Sequence, residues 1–204
     1  MIERAQITGL VLAGGRGSRM GGVDKGLRVL RGQPLAQRAI ERLRPQVGPL
    51  WANANRHAEA YAGFGVPVCA DTIAGQPGPL AGLLAGLAVC TTPWLAAVPC
   101  DVPRFPADLV ARLAAGLLAA PGGAAELAIA VTLEAGQRRR HPVFCLLSAA
   151  LRDDLAAALA RDERRVQQWM ARHRCAEVVF DDAAAFLNAN TEADLRLLET
   201  DDDA

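Results

Sequence analysis

Apolar and polar positions alternate along this chain in a regular way, with short apolar runs followed by stretches in which apolar residues recur every three or four positions. The run Ile7 to Ala13 predicts a strand, and the stretch Leu35 to Val47, apolar at every fourth position, predicts a helix. The same reasoning predicts strands over Leu50 to Ala54, Val66 to Ala70 and Trp94 to Cys100, and helices over Arg56 to Gly63, Leu80 to Val89 and a stretch with Leu109, Val110, Leu113 and Leu117 on one side. Because helices connect successive strands, we expect an α/β fold with a mostly parallel sheet flanked by helices.

The second half of the chain predicts a small antiparallel extension of that sheet. Leu127 to Leu133 and His141 to Leu147 are strand-like, and the basic segment GQRRR between them is predicted to be a turn. Further elements are predicted as helices over Ser148 to Ala160 and Arg165 to His173, a strand over Cys175 to Phe180 and a last helix after Asn190. No repeat or low-complexity linker interrupts the pattern, so we expect one domain over residues 1–200 and a disordered acidic tail over 201–204.

Composition narrows the possible partners and compartment. Lys plus Arg and Asp plus Glu both number 22, so the chain has no global positive field to attract nucleic acid or an anionic membrane. No stretch approaches the ~20 unbroken apolar residues of a membrane span, and the first residues do not form a signal peptide. The five cysteines are odd in number and far apart, which favours reduced core thiols. We therefore expect a cytoplasmic protein.

A loop rich in glycine and basic residues follows the first predicted strand. Residues 10–27 read LVLAGGRGSRMGGVDKGL, in which glycines allow close backbone approach to an anion while Arg16, Arg19 and Lys25 supply positive charge. The loop matches neither G-x-G-x-x-G, because Met20 replaces the third glycine, nor the Walker pattern, because Gly26 follows the lysine. The alternative is a mobile surface loop, but basic charge clustered among glycines favours phosphate binding at the carboxyl end of a first parallel strand.

Polar residues stand at the carboxyl ends of three predicted strands, which should meet at one edge of the sheet. In VPCDVP, Asp101 directly follows a buried strand between prolines, and a carboxylate there suits Mg²⁺, which is bound by one or two carboxylates plus substrate phosphates. Its alternative role is to cap the next helix, predicted to begin near Pro106. Asn53 suits a base edge or ribose but is also a common turn residue, and Asp71 either binds a nucleoside or caps the turn before Thr72.

Three more segments carry weaker signals. GQPGPLAG, residues 75–82, is either a plain turn or a helix start that receives an anion. Arg164 and Arg165 open a predicted helix, where cations oppose the helix dipole, and this can signal an anion bound nearby. His141, next to the arginines at 138 to 140, belongs to a basic corner of the chain.

A series of short motifs, in this order along the chain, carries a family resemblance. They are LAGGRGSRMGGVDKGL, a strand-end Asn53, CADT, PGPLAG, VPCDVP, HPVF and FLNANT. Over residues 7 to about 195 the chain resembles the molybdenum cofactor guanylyltransferases, which implies a Rossmann-like nucleotidyltransferase fold. The resemblance also implies transfer of GMP from GTP to the terminal phosphate of molybdenum-molybdopterin in the cytoplasm, with Mg²⁺ as cofactor. Molybdenum-insertion proteins and apo-molybdoenzymes are the implied protein partners, with neither nucleic acid nor membrane.

The resemblance also implies roles for particular residues. The implied catalytic residues are Lys25 and Asp101, and Asp101 is also the implied Mg²⁺ ligand. The implied nucleotide-binding residues are Leu12, Ala13, Gly14, Gly15, Arg19, Lys25, Asn53, Asp71 and Asp101. The implied pterin-binding residues are Pro79, Leu80, Gly82, Arg164, Arg165, Asn188 and Asn190.

Two other functions compete with this one. A cytidylyltransferase acting on the same pterin typically carries AAG where this chain has LAGG at residues 12–15, so the sequence favours guanine. A non-catalytic nucleotide-binding module in molybdoenzyme maturation is the other, and the presence of both Lys25 and Asp101 argues against it. The reaction itself needs no activated nucleophile, because a phosphate monoester, with its second pKa near ~6, is already anionic at neutral pH.

Overall fold

A computed structural model of the protein describes residues 1–13, 24–73, 78–134 and 136–200. In these parts of the chain the strands are β1 Ile7–Leu12, β2 Val29–Leu30, β3 Gln33–Pro34, β4 Leu50–Asn53, β5 Val68–Cys69, β6 Trp94–Pro99, β7 Leu127–Glu134, β8 Gln137–Ser148 and β9 Cys175–Phe180. Strands β2 and β3 form a separate hairpin, and the others form one sheet in the order β5-β4-β1-β6-β8-β7-β9. The pairs β5/β4, β4/β1, β1/β6 and β7/β9 are parallel, which confirms the mostly parallel sheet.

Helices cover both faces of the sheet. They are α1 Leu35–Leu43, α2 Ala58–Ala62, α3 Pro79–Val89, α4 Leu109–Ala119, α5 Arg152–Ala160, α6 Val166–Met170 and α7 Glu192–Thr200. Successive side chains of a strand point to opposite faces, so Val11 packs in a core with α1 and α4, while Leu10 packs in a second core with α3 and α5. A side chain at Gly86 would collide with Leu10, so the glycine allows helix α3 to lie very close to β1. Among the described residues, no helix is both long enough and apolar enough to cross a membrane.

The antiparallel extension exists, but its basic segment is part of a strand and not a turn. Arg138, Arg139 and Arg140 lie in β8, opposite Leu133, Thr132 and Val131 of β7, so the turn prediction was wrong. Ion pairs across the sheet stabilise the extended form, since Arg138 and Arg140 both contact Glu177 of β9, at 3.0 and 2.6 Å. Strand β8 also joins β6 on its other side, so the extension lies inside the same sheet.

Several predicted boundaries also shift. Helix α1 ends at Leu43 and passes into a 3-10 turn over Arg44–Gln46, where the ring of Pro45 cannot continue the hydrogen-bonded ladder. Helix α6 is shorter than predicted, and the stretch Ala149–Leu151 before α5 is also a 3-10 turn. The hairpin of β2 and β3 was not predicted from the sequence. Its two-residue turn, Arg31 and Gly32, has positive φ at both positions (49° and 76°), as tight hairpin turns require.

Candidate active site

The carboxyl ends of β1, β4, β5 and β6 meet at one edge of the sheet, because these strands are parallel and neighbouring. A cavity of about 400 Å³ opens there. It is lined by Leu12, Ala13, Asp24, Lys25, Asn53, Asp71, Gly78, Pro79, Gly82, Pro99, Cys100, Asp101, Asn188 and residues 139–144 of β8. The position is the one that open α/β sheets use for ligands, beyond the ends of parallel strands. All three polar strand-end residues singled out from the sequence therefore lie around one cavity.

Lys25 and Asp101 face each other on the lining of this cavity. The Nζ atom of Lys25 is 3.5 Å from Oδ2 of Asp101 and donates a 2.6 Å hydrogen bond to Oδ1 of Asn190. The lysine side chain is 42% exposed and the aspartate side chain 14%, so the cation reaches into the open space over a largely buried carboxylate. Lys25 is the only lysine of the sequence. This arrangement provides one positive and one negative charge at the same point of the cavity.

Asp101 is held by the backbone and not used as a helix cap. Its carbonyl accepts a 2.7 Å hydrogen bond from the amide of Ala189, and the residue at the N-cap of α4 is Asp108, seven positions away. Within the described ranges, no three His, Cys, Asp or Glu side chains lie close enough to form a metal cluster. One carboxylate beside an open cavity fits Mg²⁺, which takes few protein ligands and completes its shell with phosphate and water oxygens.

A network of amides fixes the carboxylate of Asp71. Asn53 donates to Oδ1 of Asp71 at 2.9 Å, and Asn55 donates to Oδ2 at 2.8 Å. The side-chain oxygen of Asn55 accepts a 2.8 Å bond from the Asp71 amide in return. Sequence reasoning missed Asn55, although the repeat in WANANR places it two residues after Asn53 and thus on the same side of an extended chain. The carboxylate of Asp71 is oriented by two neutral donors and retains its remaining acceptor capacity.

Gly82, in the first turns of α3, is needed for this packing. A side chain there would lie 2.5 Å from Oδ1 of Asn53 and 2.7 Å from Leu12. Such distances are too short for real contacts, so the glycine allows the helix to approach β1 and β4 at the cavity. Asn53 is 1% exposed, and its side-chain amide donates to the carbonyl of Cys69 and to Asp71 beneath this helix.

Strand β8 forms the opposite wall of the cavity through an irregularity in its pairing. Between Ile129 and Ala130 of β7, the partner changes from Cys145 to His141, so residues 142–144 bulge out of the ladder. Pro142 lies in this bulge, where its missing N–H costs no ladder hydrogen bond. The bulge turns Val143 and its neighbours toward the cavity. Bulges of this kind re-aim side chains next to ligand sites.

His141 on this wall is buried, in surroundings that favour its neutral form. Its Nε2 lies 2.9 Å from the hydroxyl of Thr132, and its ring stacks on Phe186 with a centroid distance of 4.7 Å. Desolvation by burial, and secondarily the charge of Arg139, holds the pKa of His141 below its ordinary value. Sequence reasoning placed His141 in a basic corner, and the structure buries it on the cavity wall, where the neutral form is favoured.

The other residues predicted for the site divide into three groups. Pro79, Gly82 and Asn188 line the cavity, and Asn190 accepts a hydrogen bond from Lys25. Gly14, Gly15 and Arg19 lie outside the described residues. Leu80, Arg164 and Arg165 are not among the residues that line the cavity.

The geometry gives no support to a binding role for this last group. The Leu80 side chain is fully buried in the core with α5. Arg164 is paired with Asp162 at 2.6 Å, and Arg165 is the N-cap residue of the short helix α6, beside a separate surface depression. Their predicted contact with the pterin stays a prediction.

Comparisons with known proteins agree with the site. The chain is 56% identical to a protein named molybdenum cofactor guanylyltransferase from Cupriavidus necator, over 98% of this chain and 100% of the relative. A protein of the same name from Bordetella petrii is also 56% identical, over 97% of this chain and 100% of its own length. These relatives confirm the resemblance identified from the sequence motifs.

A solved structure shows the same fold. The molybdopterin-guanine dinucleotide biosynthesis protein A from Archaeoglobus fulgidus superposes with a TM-score of 0.73 at 20% identity, covering 96% of this chain and 98% of that one. The family model of the MobA-like NTP transferase domain matches residues 9–178 of the sequence, which include every strand-end residue of the cavity and the bulge of β8. The chain therefore belongs to the MobA-like NTP transferase family and is a nucleotidyltransferase.

Proposed function

We propose that this protein transfers GMP from GTP to the terminal phosphate of molybdenum-molybdopterin, which yields the guanine dinucleotide form of the cofactor and pyrophosphate. The observation that carries the proposal is the pair Lys25 and Asp101, 3.5 Å apart between the amide network of Asn53 and the polar wall of β8. A cavity with two chemically different ends and a charged centre suits the joining of two substrates. The 56% identity to relatives named molybdenum cofactor guanylyltransferase supports the choice of substrates.

The nucleoside of GTP occupies the end formed by β4 and β5. Guanine carries N–H donors and a carbonyl acceptor on one edge. The carboxylate of Asp71, which Asn53 and Asn55 hold in place by hydrogen bonds, is a suitable acceptor for a base N–H or ribose hydroxyl. Leu12 and Ala13 approach this end from β1. Gly14 and Gly15 continue the same strand-to-loop junction in sequence, where glycine allows main-chain groups to come close to the base.

The triphosphate lies over the centre of the cavity. Lys25 contacts its phosphates, and Arg19 adds charge from the loop that precedes it in sequence. Asp101 holds Mg²⁺, which when bound neutralises phosphate charge that would otherwise repel the incoming anion. Asn190 accepts from the Lys25 ammonium and so directs it across the cavity toward Asp101.

The reaction requires positioning more than acid–base chemistry. An oxygen of the acceptor phosphate forms a bond to the α-phosphorus of GTP while the bond from that phosphorus to the bridging oxygen breaks, and pyrophosphate leaves with the electron pair. No proton has to be removed from the acceptor, because the monoester is already anionic at neutral pH. The residues of the chain hold two polyanions together and stabilise the charge that develops on the leaving group.

Molybdenum-molybdopterin occupies the other end of the cavity. Pro79 and Asn188 line the cavity and are proposed to face this space, whereas Gly82 packs against Asn53 at the nucleoside end. His141 and Arg140, which precede the bulge of β8, contribute an imidazole and a guanidinium that is also paired with Glu177. A pterin ring presents several hydrogen-bonding groups, which a polar wall with an uncharged imidazole can match. We further propose a cytoplasmic location and transient contacts with molybdenum-insertion proteins and apo-molybdoenzymes.

One assay tests this function. Pyrophosphate release is measured with Mg²⁺ and molybdenum-loaded molybdopterin, using GTP in one series and CTP in another. Release with GTP that depends on the pterin is the expected result. Equal or faster release with CTP would identify a cytidylyltransferase, and GTP binding without any release would identify a non-catalytic nucleotide-binding module.

A further inference from the structure

Tyr61 lies behind the charged centre of the cavity and is not among the residues that line it. Its side chain is fully buried, and its hydroxyl donates a 2.6 Å hydrogen bond to Oδ1 of Asp24, 37 positions earlier in the chain. Burial and this bond to the carboxylate raise the pKa of the Tyr61 phenol far above its ordinary value, so the phenol stays a donor. The hydroxyl group therefore donates to the residue that precedes Lys25.

The turn that presents Lys25 rests on this tyrosine at two points. Oδ1 of Asp24 also accepts a 3.1 Å bond from the amide of Gly26, which closes the turn around Lys25. Gly26 itself lies directly against the Tyr61 ring, so closely that a side chain at this position would collide with the phenol oxygen. Residues on both sides of Lys25 are thus held by one side chain from α2.

We propose that Tyr61 is a positioning residue for nucleotidyl transfer: by holding Asp24 and Gly26, it directs the Lys25 ammonium toward Asp101 and the phosphates of GTP. The inference rests on the proposed function for the identity of the nucleotide. A long lysine side chain has many rotamers, and fixing the backbone turn at its root reduces the entropy lost when the ammonium binds phosphate. Removing the hydroxyl releases the carboxylate of Asp24, and with it the turn, while the side chains of Lys25 and Asp101 themselves are unchanged.

A double-mutant cycle tests the link between the two residues. GTP affinity is measured by calorimetry for the wild type, Tyr61→Phe, Lys25→Met and the double variant. We expect Tyr61→Phe to weaken GTP binding roughly threefold to tenfold, the value of one net hydrogen bond. In the Lys25→Met background, Tyr61→Phe should weaken GTP binding by about twofold or less, because Tyr61 acts on the nucleotide through the lysine side chain. Equal weakening in both backgrounds, or none in the wild-type background, would overturn the proposal.

A matched control separates positioning from packing. Phe64 touches the Tyr61 ring edge to face, with centroids 5.9 Å apart, and is not a partner of Asp24 in any hydrogen bond. Phe64→Leu disturbs the same cluster of side chains and is expected to lower thermal stability without weakening GTP binding. If Phe64→Leu weakens binding as much as Tyr61→Phe, the role of Tyr61 is packing alone.

A second measurement needs no nucleotide. Because Lys25 is the only lysine of the chain, protein grown with isotope-labelled lysine gives one set of lysine side-chain NMR signals. We expect these signals to shift in Tyr61→Phe and to stay in place in Phe64→Leu, and unchanged signals in Tyr61→Phe would overturn the proposal by themselves. A wild-type protein that fails to bind GTP would instead refute the proposed function, and the lysine signals would still report on the turn.

Discussion

The ammonium nitrogen of Lys25 lies 2.6 Å from the side-chain oxygen of Asn190, 165 positions further along the chain. Asn190 belongs to the turn before α7, and its backbone amide is bonded to the carboxylate of Asp194 at 3.0 Å. Thr191 and Asp194 bond each other's amides at 2.7 and 3.1 Å, which caps the helix and fixes the turn. The end of the described chain therefore completes a site that begins at its first strand.

Loss of the lysine charge should weaken transfer. We expect Lys25→Ala to lower kcat/KM for GTP at least ~10-fold, because one charge-assisted contact with a phosphate contributes about 1.5 to 3 kcal/mol. Arg152→Ala is the matched control, since it removes one positive charge from an exposed ion pair on α5. Wild-type rates in Lys25→Ala would mean that this lysine does not contact the phosphates.

Bound nucleotide should shield the same lysine from chemical modification. Lys25 is the only lysine of the sequence, so an amine-reactive reagent modifies a single lysine side chain. We expect GTP with Mg²⁺ to slow modification of Lys25 relative to Mg²⁺ alone, as followed by mass spectrometry of peptides. Equal rates at Lys25 with and without GTP would contradict its proposed position at the triphosphate.

The metal-binding role proposed for Asp101 can be tested with an amide. Asp101→Asn keeps the shape of the side chain but removes its charge, so we expect a loss of at least ~100-fold in turnover at limiting Mg²⁺, or about 3 kcal/mol. Asp153→Asn, at an exposed position on α5, provides the control. Thermal unfolding should show that the fold is intact, and unchanged turnover at limiting Mg²⁺ would refute the assignment.

Base choice should depend on the junction between β1 and the glycine loop. A buried donor or acceptor without a partner costs about 1 to 3 kcal/mol, so two mismatches with cytosine predict a preference for GTP of at least roughly 30-fold. We expect this preference to weaken when residues 12–15 are changed from LAGG toward an AAG-type sequence. Competition assays of kcat/KM for GTP and CTP measure it, and equal values in the unmodified protein would overturn the guanine assignment.

The buried imidazole of His141 should make stability fall in mild acid. Its pKa in the folded protein lies below its ordinary value of 6.5, so below pH 6.5 the unfolded chain binds a proton that the folded protein does not. The free energy of unfolding therefore decreases as the pH falls from 6.5 toward the folded pKa. Urea unfolding between about pH 7 and about pH 5 should show a smaller decrease in His141→Asn than in the wild type. Identical slopes would contradict this prediction.

The central sheet and the strand-end positions of the site could be predicted because they depend on local pattern. Apolar runs of strand length, separated by helical spacing, indicate parallel strands, and parallel neighbours bring Asn53, Asp71 and Asp101 to one edge whatever the remaining contacts are. Phosphate binding by the glycine-rich loop was predicted from residue type alone, and it stays a prediction, because residues 14–23 lie outside the described part of the chain.

Tertiary structure decided the parts of the site that join distant segments. The basic segment Arg138 to Arg140 is a strand because it pairs with β7, and His141 is buried on the cavity wall, which lowers its pKa. Neither result could be predicted from the segment alone, since its cross-strand partners and its burial come from other parts of the chain. In the same way, Tyr61 reaches Asp24 across 37 positions and Asn190 reaches Lys25 across 165. Sequence by itself therefore determined which residue types meet at the sheet edge, and packing decided which side chains orient them, because orientation depends on neighbours that only the folded chain brings together.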